Sequence, residues 1–186
     1  VITGHGEKFF SAGANINIAG NISTNGGNIV TAGTGGTGSA VGNFYNTGTI
    51  GTGSGNITLA QTGTIDFGAN VTSTGNITLN ATGATTQSGG YFAGPTNLVI
   101  DGTGAVTLTN GANSISNITL NRTGTSSNVA LVTSVSPTVQ ASTLGTGTFS
   151  LTGIGFTQSG SIVQDVGGGA VTIDGGTGGV TLSSAN

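Results

Sequence analysis

The sequence predicts an all-β protein wound as a parallel β-helix, a β-solenoid with about 20 residues per coil and roughly nine coils. Three observations predict it. The first is composition: Gly supplies 38 of 186 positions, and charged residues make up only 4%, against about a quarter in an average domain. Gly, Thr, Asn and Ser are poor helix interiors, so a helical protein is disfavoured. The second is patterning. The hydrophobic 34% falls in short alternating Ile, Val and Leu runs bounded by Thr-Gly or Asn-Gly. That is the signature of strands with one buried face closed by tight turns, and it argues against disorder. The third is repetition. Asn56-Ile57-Thr58-Leu59 returns as Asn76-Ile77-Thr78-Leu79, as Asn97-Leu98-Val99-Ile100 and as Asn117-Ile118-Thr119-Leu120, at steps of 20, 21 and 20 residues.

From the start of the chain, residues 1–14 read as a boundary coil, because they hold Glu7, Lys8, the only His and the paired Phe9 and Phe10. Counting back 41 residues from Asn56 reaches Asn15-Ile16-Asn17-Ile18, read as the same strand two coils earlier. The copy expected between them, near Gly36, is unrecognisable, so residues 33–48 are assigned to an irregular coil or loop. From residue 56 each coil holds three short strands. The second follows at about +8, as Ile65-Asp66-Phe67 and Val106-Thr107-Leu108; the third at about +14 to +17, as Val71, Phe92 and Ile115. Gly-rich corners join them, since glycine accepts sharp bends at little steric cost.

Equivalent strands one coil apart then pair at about 4.8 Å. Ile57, Ile77, Leu98 and Ile118 form one inward column, and Leu59, Leu79, Ile100 and Leu120 the next. Thr58, Thr78, Val99 and Thr119 face out. Asn56, Asn76, Asn97 and Asn117 form an asparagine column whose stacked amides bond coil to coil. Nine such coils make a rod on the order of 40–45 Å long. Residues 126–146 are a second irregular stretch, with Pro137 inside an apolar run. Regularity resumes at Phe149-Ser150-Leu151. A longer repeat overlies the short one: Thr86-Gln87-Ser88-Gly89 recurs as Thr157-Gln158-Ser159-Gly160, and Leu98-Val99-Ile100-Asp101-Gly102 as Val171-Thr172-Ile173-Asp174-Gly175. This suggests a duplicated unit of three or four coils. The whole of 1–186 reads as one solenoid segment of a longer repetitive protein.

Several functions are excluded or disfavoured by residue type. Two cations, Lys8 and Arg122, make no nucleic-acid footprint. The absence of Cys removes thiolate metal sites, disulfides and thiol catalysis. No apolar run approaches a membrane span. Glycoside hydrolysis usually needs two carboxylates about 5–9.5 Å apart. Asp101 and Asp174 fall three or four coils apart, about 15–19 Å, and Asp66 lies almost two coils before Asp101. Asp165 and Asp174 can share a coil, but no other charge neighbours them in sequence. All four read as corner residues bonding local amides. A lyase wants clustered Arg or Lys, and Arg122 and Lys8 stand alone. His5 is likewise solitary.

Asp101-Gly102-Thr103-Gly104 and Asp174-Gly175-Gly176-Thr177-Gly178 lack the alternating acidic ligands of calcium loops. Glycine spacings that mimic phosphate loops lack the following Gly-Lys-Ser/Thr. Thr-x-Thr pairs such as Thr47/Thr49, Thr72/Thr74 and Thr107/Thr109 suggest ice binding, but their spacing is irregular and Val99 interrupts the outward threonines. Sequons such as those at Asn56, Asn70, Asn80 and Asn121 are expected from composition. No catalytic, cofactor or metal residues are assigned, no cofactor is expected, and the ligand-binding residues are not identified.

The strings Gly13-Ala14-Asn15-Ile16-Asn17-Ile18-Ala19-Gly20-Asn21-Ile22, Gly55-Asn56-Ile57-Thr58-Leu59 and Gly104-Ala105-Val106-Thr107-Leu108, with the Thr-Gln-Ser-Gly repeats, resemble the filamentous-haemagglutinin-type adhesins of Gram-negative bacteria. These are exoproteins of the two-partner secretion or autotransporter type. The resemblance covers nearly the whole chain, most clearly residues 11–120 and 147–186. It rests on repeat style, so it is specific for architecture and weak for a ligand. It implies a right-handed β-helical stalk, export to the cell surface, and roles in adhesion, biofilm or cell contact, with no catalytic motif. The expected function is therefore a non-enzymatic stalk of a secreted surface protein. Its partners would be surface or matrix glycans and proteins, and flanking coils or further copies at its ends. The alternatives are a filament, sheath or surface-layer subunit, and a polysaccharide-binding or polysaccharide-cleaving β-helix.

Overall fold

The computed structural model describes residues 1–32 and 38–184. Alternating apolar residues form 24 short strands with no helix among the described residues, and every strand pair is parallel. Turn one holds β1 (Ile2–Thr3), β2 (Lys8–Ser11) and β3 (Ile16–Ile18). Turn two holds β4 (Ile22–Ser23), β5 (Ile29–Ala32) and β6 (Phe44–Asn46). Turn three holds β7 (Ile50–Gly53), β8 (Ile57–Gln61) and β9 (Ile65–Phe67). Turn four holds β10 (Val71–Ser73), β11 (Asn76–Ala81) and β12 (Thr85–Thr86); turn five, β13 (Phe92–Ala93), β14 (Asn97–Ile100) and β15 (Val106–Leu108). Turn six holds β16 (Asn117–Arg122) and β17 (Val129–Val132), its remaining side marked by the bridge Ala93↔Ser114. Turn seven holds β18 (Thr138–Val139), β19 (Ser142–Leu144) and β20 (Phe149–Thr152). Turn eight holds β21 (Phe156–Gln158), β22 (Ile162–Val163) and β23 (Val171–Asp174), and β24 (Val180–Thr181) opens a ninth.

These strands stack into three faces. The first is β1-β4-β7-β10-β13; the second runs β2-β5-β8-β11-β14-β16-β18-β21-β24, with β19 and β22 extending it beside β16; the third runs β3-β6-β9-β12-β15-β17-β20-β23. The chain makes about 8 turns of about 21 residues, a rod of roughly 40 Å. The expected nine coils become eight with one begun, because two turns run long: Ile29 pairs with Ile57, and Phe156 with Val180.

The predicted columns are present. Ile57, Ile77, Leu98 and Ile118 are in register, as are Leu59, Leu79, Ile100 and Leu120, and all eight are buried. The alternation dictates this: one residue further along, Thr58, Thr78, Val99 and Thr119 lie on the outer side, half-buried. On the inside, the Phe67 ring packs edge-on against Phe92 at 4.8 Å and tilted against Phe44 at 6.3 Å. These aromatic contacts fill the centre where the short strands alone would leave space.

The sequence expectations are corrected at several points. The strand Asn15-Ile16-Asn17-Ile18 belongs to the third face, paired with Phe44-Tyr45-Asn46. The true predecessor of the residue-56 strand is Asn28-Ile29-Val30-Thr31, in register with β8. Its 28-residue step hides it from a search at a fixed period, because the extra chain falls in the long connection that includes residues 33–37. Residues 33–37, at the heart of the expected irregular coil, lie outside the described residues.

The long repeat is not a structural equivalence either. Leu98 lies on the second face and Val171 on the third; Thr86 lies on the third and Thr157 on the second. The matching strings recur on different sides because each is only one strand plus one corner.

The asparagines bond from turn to turn, but not amide to amide. The Asn56 Oδ1 accepts the Asn76 backbone N–H at 2.8 Å, and the Asn28 Oδ1 accepts that of Asn56 at 2.8 Å. Asn15 and Asn43 serve the third face, and Asn21 the first, in the same way. Where an asparagine precedes a strand in this way, its side-chain oxygen caps a corner N–H of the next turn, a bond worth about 0.5–1.5 kcal/mol. The column breaks at Asn97, whose amide donates to the Thr119 hydroxyl. Finally, residues 126–146 continue the solenoid as β17 to β19, with Pro137 at the corner before β18.

Candidate functional site

The carboxylates are dispersed and engaged. Asp66, outward on β9, accepts from the Thr86 hydroxyl at 2.8 Å and the Ser88 hydroxyl at 2.7 Å. Asp101 follows β14 and accepts from the Asn121 amide at 2.8 Å. Asp174 ends β23 on another face, three turns on, and accepts from the Gly176 N–H. The Asp165 Oδ2 accepts the Gly124 N–H at 2.7 Å. Asp174 alone bonds within its own corner, while the other three tie one turn to another. His5 exchanges hydrogen bonds with Asn25 on the exposed first turns. No group of three or more His, Cys, Asp or Glu able to hold a metal occurs among the described residues.

The sequon asparagines 56, 80 and 121 are exposed and Asn70 is half-buried. The Thr-x-Thr pairs are scattered: Thr72 lies on the first face and Thr107 on the third. Neither set is gathered into a surface array.

Arg122 is drawn into the core. It is the last residue of β16 and shares the inward parity of Ile118 and Leu120, so it is only 1% exposed. Its guanidinium donates to the carbonyls of Gly102 and Thr103, to Gly104 at 2.7 Å and to Ser127 at 2.9 Å. Nε has no partner. Desolvation by burial lowers its pKa below the usual guanidinium value; the carbonyl dipoles stand in for a counter-ion.

The two ends of the rod are the surfaces that differ most from its sides. At the C-terminal end the last strands leave the core uncovered: Val171, Val180 and Leu182 are 44%, 48% and 60% exposed. With Leu144, Ile162 and Ile173 they line a hollow of about 610 Å³. At the other end a smaller hollow, about 260 Å³, is lined by Ile2, Phe10, Ile16, Ile18 and Ile22. There β2 sets Lys8 in register with the buried Ile29, and its ammonium donates to the Gly6 carbonyl in an exposed hydrogen bond. A charge on the terminal strand blunts an exposed strand edge. The matching C-terminal strands β23 and β24 carry Val171, Ile173 and Val180 at their inward positions. Sequence reasoning marked residues 1–14 as a boundary but missed this difference between the ends, because strand parity at Lys8 is readable only once its partner is known.

Comparison with protein-family models, with curated proteins and with solved structures finds no match to this chain.

Proposed function

We propose that this chain is a non-enzymatic rod segment of an exported bacterial surface protein, acting in adhesion, biofilm formation or cell contact. The supporting observation is the continuous stack of about 8 parallel turns on one apolar core; turns that each rest on their neighbours make such a stack a rod. The sides favour the same reading. Their outward threonines and asparagines solubilise the rod without charge, and the dispersed carboxylates are held in hydrogen bonds.

Beads coated with the chain test the adhesive role against cultured cells, biofilm matrix and a glycan array. Saturable retention is expected. No retention on any of the three refutes it, and polysaccharide cleavage lost in Asp101→Ala or Asp174→Ala overturns the non-enzymatic reading.

A second reading is a filament subunit, favoured by the presence of an apolar hollow at each end. Sedimentation and electron microscopy separate the two: monomeric rods of roughly 40 Å fit the segment, and concentration-dependent filaments fit the subunit.

A further inference from the structure

The chain that follows Arg122 closes back over it. Thr123 to Asn128 connect β16 to β17, and the Arg122 guanidinium donates to the Ser127 carbonyl at 2.9 Å. The connection reads Thr-Gly-Thr-Ser-Ser-Asn, with no aliphatic or aromatic residue. Of its six residues only Ser126 is buried, and the Ser126 hydroxyl donates to the Thr123 carbonyl. Apolar packing therefore does not hold this corner down. Hydrogen bonds do: the Ser127 N–H donates to the Thr103 carbonyl at 3.0 Å, the Thr146 N–H to the Gly124 carbonyl at 2.9 Å, and the Gly124 N–H to the Asp165 Oδ2 at 2.7 Å.

The bond to Asp165 has the longest reach. Asp165 lies in turn eight, between β22 and β23. Its backbone N–H donates to the Gly145 carbonyl of turn seven at 3.1 Å, while its side chain passes that turn and takes the Gly124 N–H of turn six. The loop that carries it is fastened in turn, because the Gln164 amide donates to the carbonyls of Gly147 and Gly169 at 2.9 and 2.8 Å. Solenoid turns are ordinarily coupled only to their neighbours; here a carboxylate of one turn holds a corner two turns away.

Beneath that corner lies a charge that water would stabilise. The guanidinium is shut in with carbonyls and no carboxylate, and its Nε is unpartnered. Burying a cation in this way is costly, so hydration of Arg122 favours a lifted corner and the bonds to the corner oppose it.

We propose that residues 123–128 form a lid over Arg122 and that Asp165 is its latch. While the carboxylate holds the Gly124 N–H the guanidinium stays dry; when it lets go, the lid lifts and the chain's only arginine meets water. The motion is a local opening: β16 and β17 keep their neighbours in the second and third faces, and the rod keeps its length. Access of solvent to Arg122 is thereby governed from turn eight.

A single arginine makes the test direct. The whole chain is treated with phenylglyoxal, a dicarbonyl that condenses with guanidinium groups, and the adduct at Arg122 is followed by peptide mass. Asp165→Ala is expected to raise the initial rate at least about fivefold, as for the loss of a hydrogen bond to a charged group. The melting temperature should stay within about 5 °C, which separates a lifted lid from an unfolded rod. Asp174→Ala is the control, since that carboxylate bonds the Gly176 N–H within its own corner, and it should leave the rate unchanged. An unaltered rate in Asp165→Ala, an equal rise in Asp174→Ala, or an Asp165→Ala chain that unfolds altogether overturns the proposal. The unmutated chain gives a second measurement: the Gly124 amide should be protected from hydrogen exchange, and exchange at the unfolded rate would show that Asp165 latches nothing. None of these outcomes depends on the adhesive role.

Discussion

Truncating Ile77 to Ala is the sharpest probe of the core. Ile77 is wholly buried in the middle of the rod, between Ile57 on one turn and Leu98 on the next. The column is continuous on both sides, so the turns cannot close over the lost atoms without breaking two ladders of backbone hydrogen bonds. The cost is the transfer term plus a largely unrelaxed cavity, about 2–5 kcal/mol. For a chain of this length that is a fall in melting temperature of roughly 4–20 °C. The adjacent Thr78 lies on the outer side, and Thr78→Ala should stay within about 0.5 kcal/mol. Thermal and urea melts followed by circular dichroism measure both. Ile77→Asp, which adds an unpaired buried carboxylate, should prevent folding of the central turns, whereas Thr78→Asp should be mild. Comparable losses at residues 77 and 78 would refute the inward–outward assignment.

Other expectations follow from individual contacts. A Cβ at Gly104 would lie 1.8 Å from the Gly83 carbonyl oxygen, whereas one at Gly111 meets nothing within 4 Å. Gly104→Ala should therefore cost at least about 2 kcal/mol and Gly111→Ala next to nothing in the same melts. Asn56→Ala removes the acceptor of the Asn76 N–H, a loss of about 0.5–1.5 kcal/mol. Hydrogen exchange at that amide should accelerate roughly tenfold, and unaltered protection would show that the corner does not need the side chain. Leu182→Lys, at the uncovered C-terminal end, should leave the melting temperature within about 2 °C and suppress any end-to-end association seen by sedimentation.

Much of this fold is legible in the sequence because each coil repeats its chemistry at nearly the same spacing. The columns through Ile57 and Leu59, the outward threonines and the strands at Ile65, Val71 and Phe92 all follow from period and alternation. What is lost is whatever depends on which face a strand joins. Ile16 and Ile29 both follow an asparagine, and nothing local tells the third-face strand from the second-face one. Only pairing does, after a long connection has shifted the spacing. The recurring Thr-Gln-Ser-Gly misleads for the same reason. Of the candidate sites, the scattering of Asp101 and Asp174 was visible in coil arithmetic. The burial of Arg122 was not, since a lone arginine at a strand end reads as surface until parity with Leu120 is applied beyond the apolar run. The contrast between Lys8 and Val171 at the two ends is hidden similarly.

Stacking at one strand spacing per turn is most directly measured with pairs of spin labels on outward positions of the second face. Val30, Val99, Thr119 and Gln140 occupy one such column, with successive turns placed by the pairing of β5, β8, β11, β14, β16 and β18. Label distances measured by pulsed electron resonance should lengthen linearly by about 4.8 Å per turn, with the Val30–Gln140 pair, five turns apart, near 24 Å. Distances that do not scale with the number of turns would contradict the solenoid.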